Sequence, residues 1–93
     1  MTNKRTEFEM EQINGMLLSE FERYVMEHLQ WAEQIPKGAQ VIFLVEGDDE
    51  FNQWSKERGS AQVEDGQPVM YVKIKGLEPG RSRIKELEVA QVA

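Results

Sequence analysis

The sequence predicts an α+β fold: an amino-terminal helical region, then a right-handed βαβ unit, then a short third strand. Three observations carry this expectation. Apolar residues recur at helical spacing from Leu17 onward, two β-rich runs lie at Val41–Val45 and Val69–Ile74, and a helix-length segment with acids at its start separates those runs. Strand, helix and strand in that order form a crossover, and such crossovers are right-handed in nearly every known protein.

The helical element rests on Leu17, Phe21, Tyr24, Val25, His28, Leu29 and Ala32, which share one stripe. Ser19 with Glu22 three residues on fits a capping box. Asn14-Gly15 upstream reads as a break, so residues 1–14 are expected to form a frayed or hinged turn of helix. Pro36 stops the element and Lys37-Gly38 turns the chain. The run Val41-Ile42-Phe43-Leu44-Val45 lacks alternation, as in a strand covered on both faces. Asp48 or Asp49 then caps the next helix, which anchors through Phe51 and Trp54, weakens at Gly59-Ser60 and ends by Asp65-Gly66. The second strand opens after Pro68, and Gly76 to Gly80 is a turn. The tail from Arg81 to Val89 suits a helix through Ile84 and Leu87 and a strand through Leu87 and Val89. A returning antiparallel strand with a bulge fits its change of parity best. The predicted core joins Phe21, Tyr24, Leu29, Val41, Phe43, Leu44, Trp54, Val69 and Val72.

At 93 residues there is room for a single small domain spanning 1–93. A chain of this size buries only roughly 60–65% of its unfolded surface, so its stability margin is thin. It holds no cysteine, which excludes disulfides, thiolate nucleophiles and the usual zinc cages. The first eleven residues are polar, and the longest apolar run falls far short of a membrane span, so no membrane association and a cytoplasmic location are expected. The net charge of −6 opposes nucleic-acid binding, which needs a basic surface. Acids dominate up to residue 65, while residues 66–93 carry 3 acids and 5 bases. Internal charge pairing is the ordinary meaning of such asymmetry.

Candidate chemistry is sparse. The string Leu44 to Asn52 resembles the first strand-to-helix junction of response-regulator receiver domains, where paired acids help hold magnesium. The likeness covers nine residues, and the chain is too short for the remaining receiver elements, so capping is the weightier reading. In an open parallel sheet, ligands bind beyond the carboxyl ends of the strands. That edge would gather Glu46 to Glu50, Asp48 and Asp49 among them, and Lys75-Gly76, with Lys73 just inside, as a polar crevice or a salt-bridged rim. Arg81 and Arg83 could grip a phosphate or carboxylate, although surface solvation is the commoner role. The single histidine, His28, reads as a hydrogen-bonded boundary residue. Trp31, Trp54, Phe21 and Tyr24 read as core rather than as a stacking platform. No metal site, cofactor or catalytic residue is expected.

Three stretches carry a wider resemblance. They are Glu20-Phe21 with Tyr24 and His28, Ile35-Pro36 leading into Val41–Leu44, and Gly66-Gln67-Pro68-Val69 running through Val72-Lys73-Ile74 to Arg81-Ser82-Arg83. Together they resemble a family of small prokaryotic domains of unknown function, over most of residues 7 to 85. The resemblance implies a small α+β fold and supplies no activity. With chemistry-bearing motifs absent and little core, the expected function is a noncatalytic interaction, regulatory or accessory module with a protein partner. The alternative is a small anion- or nucleotide-binding protein using the strand-end crevice. Met10, Ile13, Met16, Leu18 and Met26 lie off or before the main stripe, in excess of what one small core needs, and point to a homodimer through the amino-terminal helical region.

Overall fold

The computed structural model describes residues 5–77 and 84–92. Helix α1 spans Glu7–Glu27, strand β1 Gln40–Val45, helix α2 Asp49–Ala61, strand β2 Val69–Leu77 and strand β3 Ile84–Val92. The order in the sheet is β1-β2-β3. Strands β1 and β2 are parallel, with Phe43 opposite Val72, and β3 runs antiparallel to β2. The α+β architecture with its βαβ unit and third strand is the one the sequence predicts.

The amino-terminal region departs from expectation in detail. The helix runs unbroken through Asn14-Gly15, so the hinge does not form. Its capping box is Thr6 with Glu9, not Ser19 with Glu22. Thr6 Oγ1 accepts from the Glu9 amide at 3.1 Å and Glu9 Oε1 accepts from the Thr6 amide at 2.9 Å. A mid-helix glycine costs only about 1 kcal/mol against alanine. Extending the helix by three turns buries Met10 and packs Ile13 and Met16 on the core, which outweighs that cost. The α-helix stops at Glu27. The His28 ring stacks on Tyr24 with centroids 4.0 Å apart, and its Nδ1 donates to the Tyr24 carbonyl at 2.9 Å. Residues Leu29–Gln34 tighten into a 3-10 turn, which rotates Leu29 off the stripe and leaves it 70% exposed.

The core lies on the sheet face that carries Phe43, Val72 and Ile74, where residues of both α1 and α2 meet it. Met10, Leu17, Phe21, Phe43, Phe51, Met70, Val72, Ile74 and Leu87 form its buried cluster, with Tyr24, Val41 and Trp54 partly buried against it. Leu44 and Val69 are half-buried outside the cluster, and Leu29 is outside it altogether. Phe21 meets Phe43 edge to face at 5.5 Å. Adjacent Ile42 and Phe43 are both buried, which explains the missing alternation in β1. Ile42 is covered by α2 at Gly59, whose missing Cβ would stand 2.5 Å from Ile42 Cγ1.

The β3 register slips between Ile74 and Gly76 and again between Gly76 and Leu77, which pairs with Ile84. The two-residue step from Ile84 to Glu86 against one step of β2 is the bulge that the parity change implies.

Candidate functional site

The strand-end crevice begins at the turn after β1. Gly47 takes φ +87°, a left-handed conformation that L side chains rarely adopt, and it folds the chain back so that Asp48 can start α2. Asp48 Oδ1 accepts from the Phe51 amide at 3.1 Å, the expected cap.

The same carboxylate has a second partner. Arg5, just ahead of α1, reaches Asp48 Oδ1 through Nη2 and Glu50 Oε1 through Nε at 2.9 Å. Its backbone amide donates to Glu50 Oε2 at 3.1 Å. The Arg5 hydrogen bond holds the Asp48 carboxyl below the usual carboxylate range, assisted by the Phe51 amide and opposed by desolvation. The two carboxylates in turn raise the Arg5 guanidinium, Asp48 more than Glu50.

Next to this clamp, Asn52 folds back on β1. Its Oδ1 accepts from the Val45 amide at 2.6 Å and its Nδ2 donates to the Val45 carbonyl at 2.9 Å, as a neighbouring strand would.

The other predicted residues do not join this cluster. Asp49 is exposed in the first turn of α2. Lys75 pairs with Glu88 at 3.4 Å across β2 and β3, and Lys73 pairs with Glu46 at 3.7 Å. Arg81 and Arg83 lie outside the described residues. The acids and lysines at the strand ends are therefore largely matched to partners within the fold, as a salt-bridged rim is. No group of three metal-ligating side chains occurs among the described residues. A cavity between Asn14, Gln40, Trp54, Ser55 and Arg58 holds about 20 Å³, enough for one water.

Sequence reasoning missed Arg5 because nothing local links it to residues 43 and 45 positions away. It also missed the brace between the helices. Arg58 bridges Glu7 at 3.1 Å and Glu11 at 2.6 Å, and Trp54 Nε1 donates to Glu7 at 3.0 Å. The Arg58 guanidinium lies 5.4 Å from the Trp54 ring centroid, within cation–π range.

Exchanging Asp48 for asparagine keeps the cap but removes the charge that faces Arg5. A cost of about 1 kcal/mol or less is expected at neutral pH. The folded-state pKa of Asp48 is depressed, so its contribution is present above the unfolded value of about 3.9 and is lost as pH falls through the lower folded value. Asp48→Asn should melt below the parent at pH 7 and converge with it towards pH 2. Parallel melting curves across that range would mean the clamp contributes nothing.

The outer surface of α1 has a different character. Phe8 is 69% exposed, Leu18 45% and Met26 76%. Of the five residues expected to be in excess of the core, Met10, Ile13 and Met16 turn inward, while Leu18 and Met26 remain outside. A shallow groove beside Met26 is floored by Phe21 and Val25 and closed by Ile35. No helix among the described residues is long and apolar enough to cross a membrane.

The model of a family of unknown function, DUF5647, matches residues 9–87. No curated protein matches the chain, and no solved structure does.

Proposed function

Since the chain belongs to DUF5647, a family of unknown function that assigns it no chemistry in advance, we propose that it is a noncatalytic interaction module that acts in the cytoplasm as a homodimer. The observation that carries this reading is the contrast between two surfaces. At the strand ends, Asp48 and Glu50 are held by Arg5, Glu46 by Lys73 and Lys75 by Glu88, so a ligand would have to displace existing partners. On α1, Phe8, Leu18 and Met26 face outward with no such partners, and large apolar side chains exposed along one helix support the interface reading. A closed two-fold pair is the commonest arrangement for a small chain. An accessory role to a further protein is compatible with the dimer, which leaves the groove beside Met26 bordering the paired surface.

Two measurements test the reading. Sedimentation at micromolar concentration should give twice the 10.8 kDa mass of one chain, and the single-chain mass would reject the dimer. Phosphate, nucleotides and magnesium should leave the melting midpoint unchanged. A saturable rise with any of them would replace the interaction module with a ligand-binding protein, because a ligand of the native state must stabilise it.

A further inference from the structure

Gly15 sits in the middle of α1 with open space around it: a Cβ there would meet nothing within 4 Å, and its backbone is ordinary helix. The monomer therefore has no steric use for glycine at this position, and alanine would favour the helix by about 1 kcal/mol. The neighbours of Gly15 on the same side of the helix explain it. Phe8, Gln12, Gly15, Ser19, Glu22 and Met26 are all exposed and follow one another at spacings of four, three, four, three and four. Alternating three and four is the seam of a left-handed helix pair. Phe8 and Met26 lie about five turns apart and so project on the same side. That side is opposite Met10, Leu17 and Phe21, which are buried in the core.

The order of side-chain types along this seam is palindromic: large, polar, small, small, polar, large. Because the order reads the same in both directions, an antiparallel copy related by a two-fold axis at the level of Leu17 matches large to large and small to small, and it sets Gln12 against Glu22 where a parallel copy would set Glu22 against Glu22. Resting on the proposed dimer, we infer that two α1 helices pack antiparallel along this seam. Phe8 lies on the partner's Met26. The Gln12 amide donates to the partner's Glu22 carboxylate. Gly15 meets the partner's Ser19, and these small side chains let the two backbones approach closely at the centre. Leu18, one residue from the axis, lies beside its counterpart and widens the apolar strip. The seam is about 30 Å long, the full length of α1.

The chain has no cysteine, so single thiols report the register directly. Chains carrying Gln12→Cys and Glu22→Cys should form a disulfide with each other when mixed and oxidised, while neither should cross-link to itself. Gly15→Arg should weaken the dimer at least tenfold in sedimentation. At concentrations where the parent is monomeric, it should melt no lower than the parent, because the position is open and arginine suits a helix. Three results overturn the inference, and they are distinguishable. A parent chain that is monomeric at all accessible concentrations removes the seam and the proposed dimer together. A dimer that cross-links through self-pairs at 12 or 22 is parallel, which rejects the register and leaves the dimer. A dimer that tolerates Gly15→Arg and gives no cross-link at either position uses another surface.

Discussion

Replacing Phe43 with alanine is expected to lower stability by about 3–5 kcal/mol, the usual range for truncating a buried aromatic. The ring is 2% exposed, meets Phe21 edge to face, and lies opposite Val72 at the centre of the parallel ladder. Its removal leaves Leu17, Phe21 and Val72 facing a void that the sheet backbone cannot close. A chain of this length has a total stability of roughly 5–14 kcal/mol, so the loss is a large fraction of the whole. Each kcal/mol moves the midpoint of a domain this size by about 4–8 °C, and the variant should therefore melt more than 10 °C below the parent. A shift of one or two degrees would show that Phe43 does not face the core.

The second large effect is expected from a gain of volume. In Gly59→Val, the new Cβ falls 2.5 Å from Ile42 Cγ1 and 2.7 Å from its Cδ1, well inside van der Waals contact. Ile42 is β-branched, 2% exposed and fixed on its strand, so it has little freedom to move aside. Helix α2 would have to lift from β1, at a cost of about 3 kcal/mol, the upper end for overpacking. Ile42→Ala in the same chain removes the obstructing atoms and should recover part of that loss, a coupling that a double-mutant cycle by chemical denaturation would measure. Additive losses in the two single variants and the double variant would place α2 elsewhere. The glycine that weakens α2 as a helix is thus what allows α2 to lie close to the sheet.

How much of this was legible follows from how local each signal is. The βαβ unit could be read because Val41–Val45, the acids after it and Val69–Ile74 each carry their own periodicity. The bulge in β3 was visible as a parity change between Ile84 and Leu87. The start of α1 was misplaced because Thr6-x-x-Glu9 and Ser19-x-x-Glu22 have the same pattern, and only the packing of Met10, Ile13 and Met16 decides between them. Leu29 was misplaced because the stripe continues in sequence after the α-helix has tightened into a 3-10 turn. In the candidate site, the capping role of Asp48 was legible from its position before Phe51. The Arg5 clamp, the Glu7 and Glu11 brace to Arg58, and the contact of Gly59 with Ile42 were not, since each joins segments that only the tertiary fold brings together.

The brace between α1 and α2 also has a consequence in time. Its polar contacts, from Arg5 to Asp48 and Glu50 and from Glu7 to Trp54 and Arg58, span 43 to 51 residues. Helix α1 is made before the groups that secure it, which follow 43 to 51 residues later. At 5–20 residues per second, roughly 3–10 s pass between synthesis of Arg5 and of Arg58. During that delay α1 presents Leu17 and Phe21 on one side and Phe8 and Met26 on the other, with neither side covered. The nascent chain therefore presents both sides of α1 before the groups that fasten it exist, and α1 is where a holding chaperone would find its target.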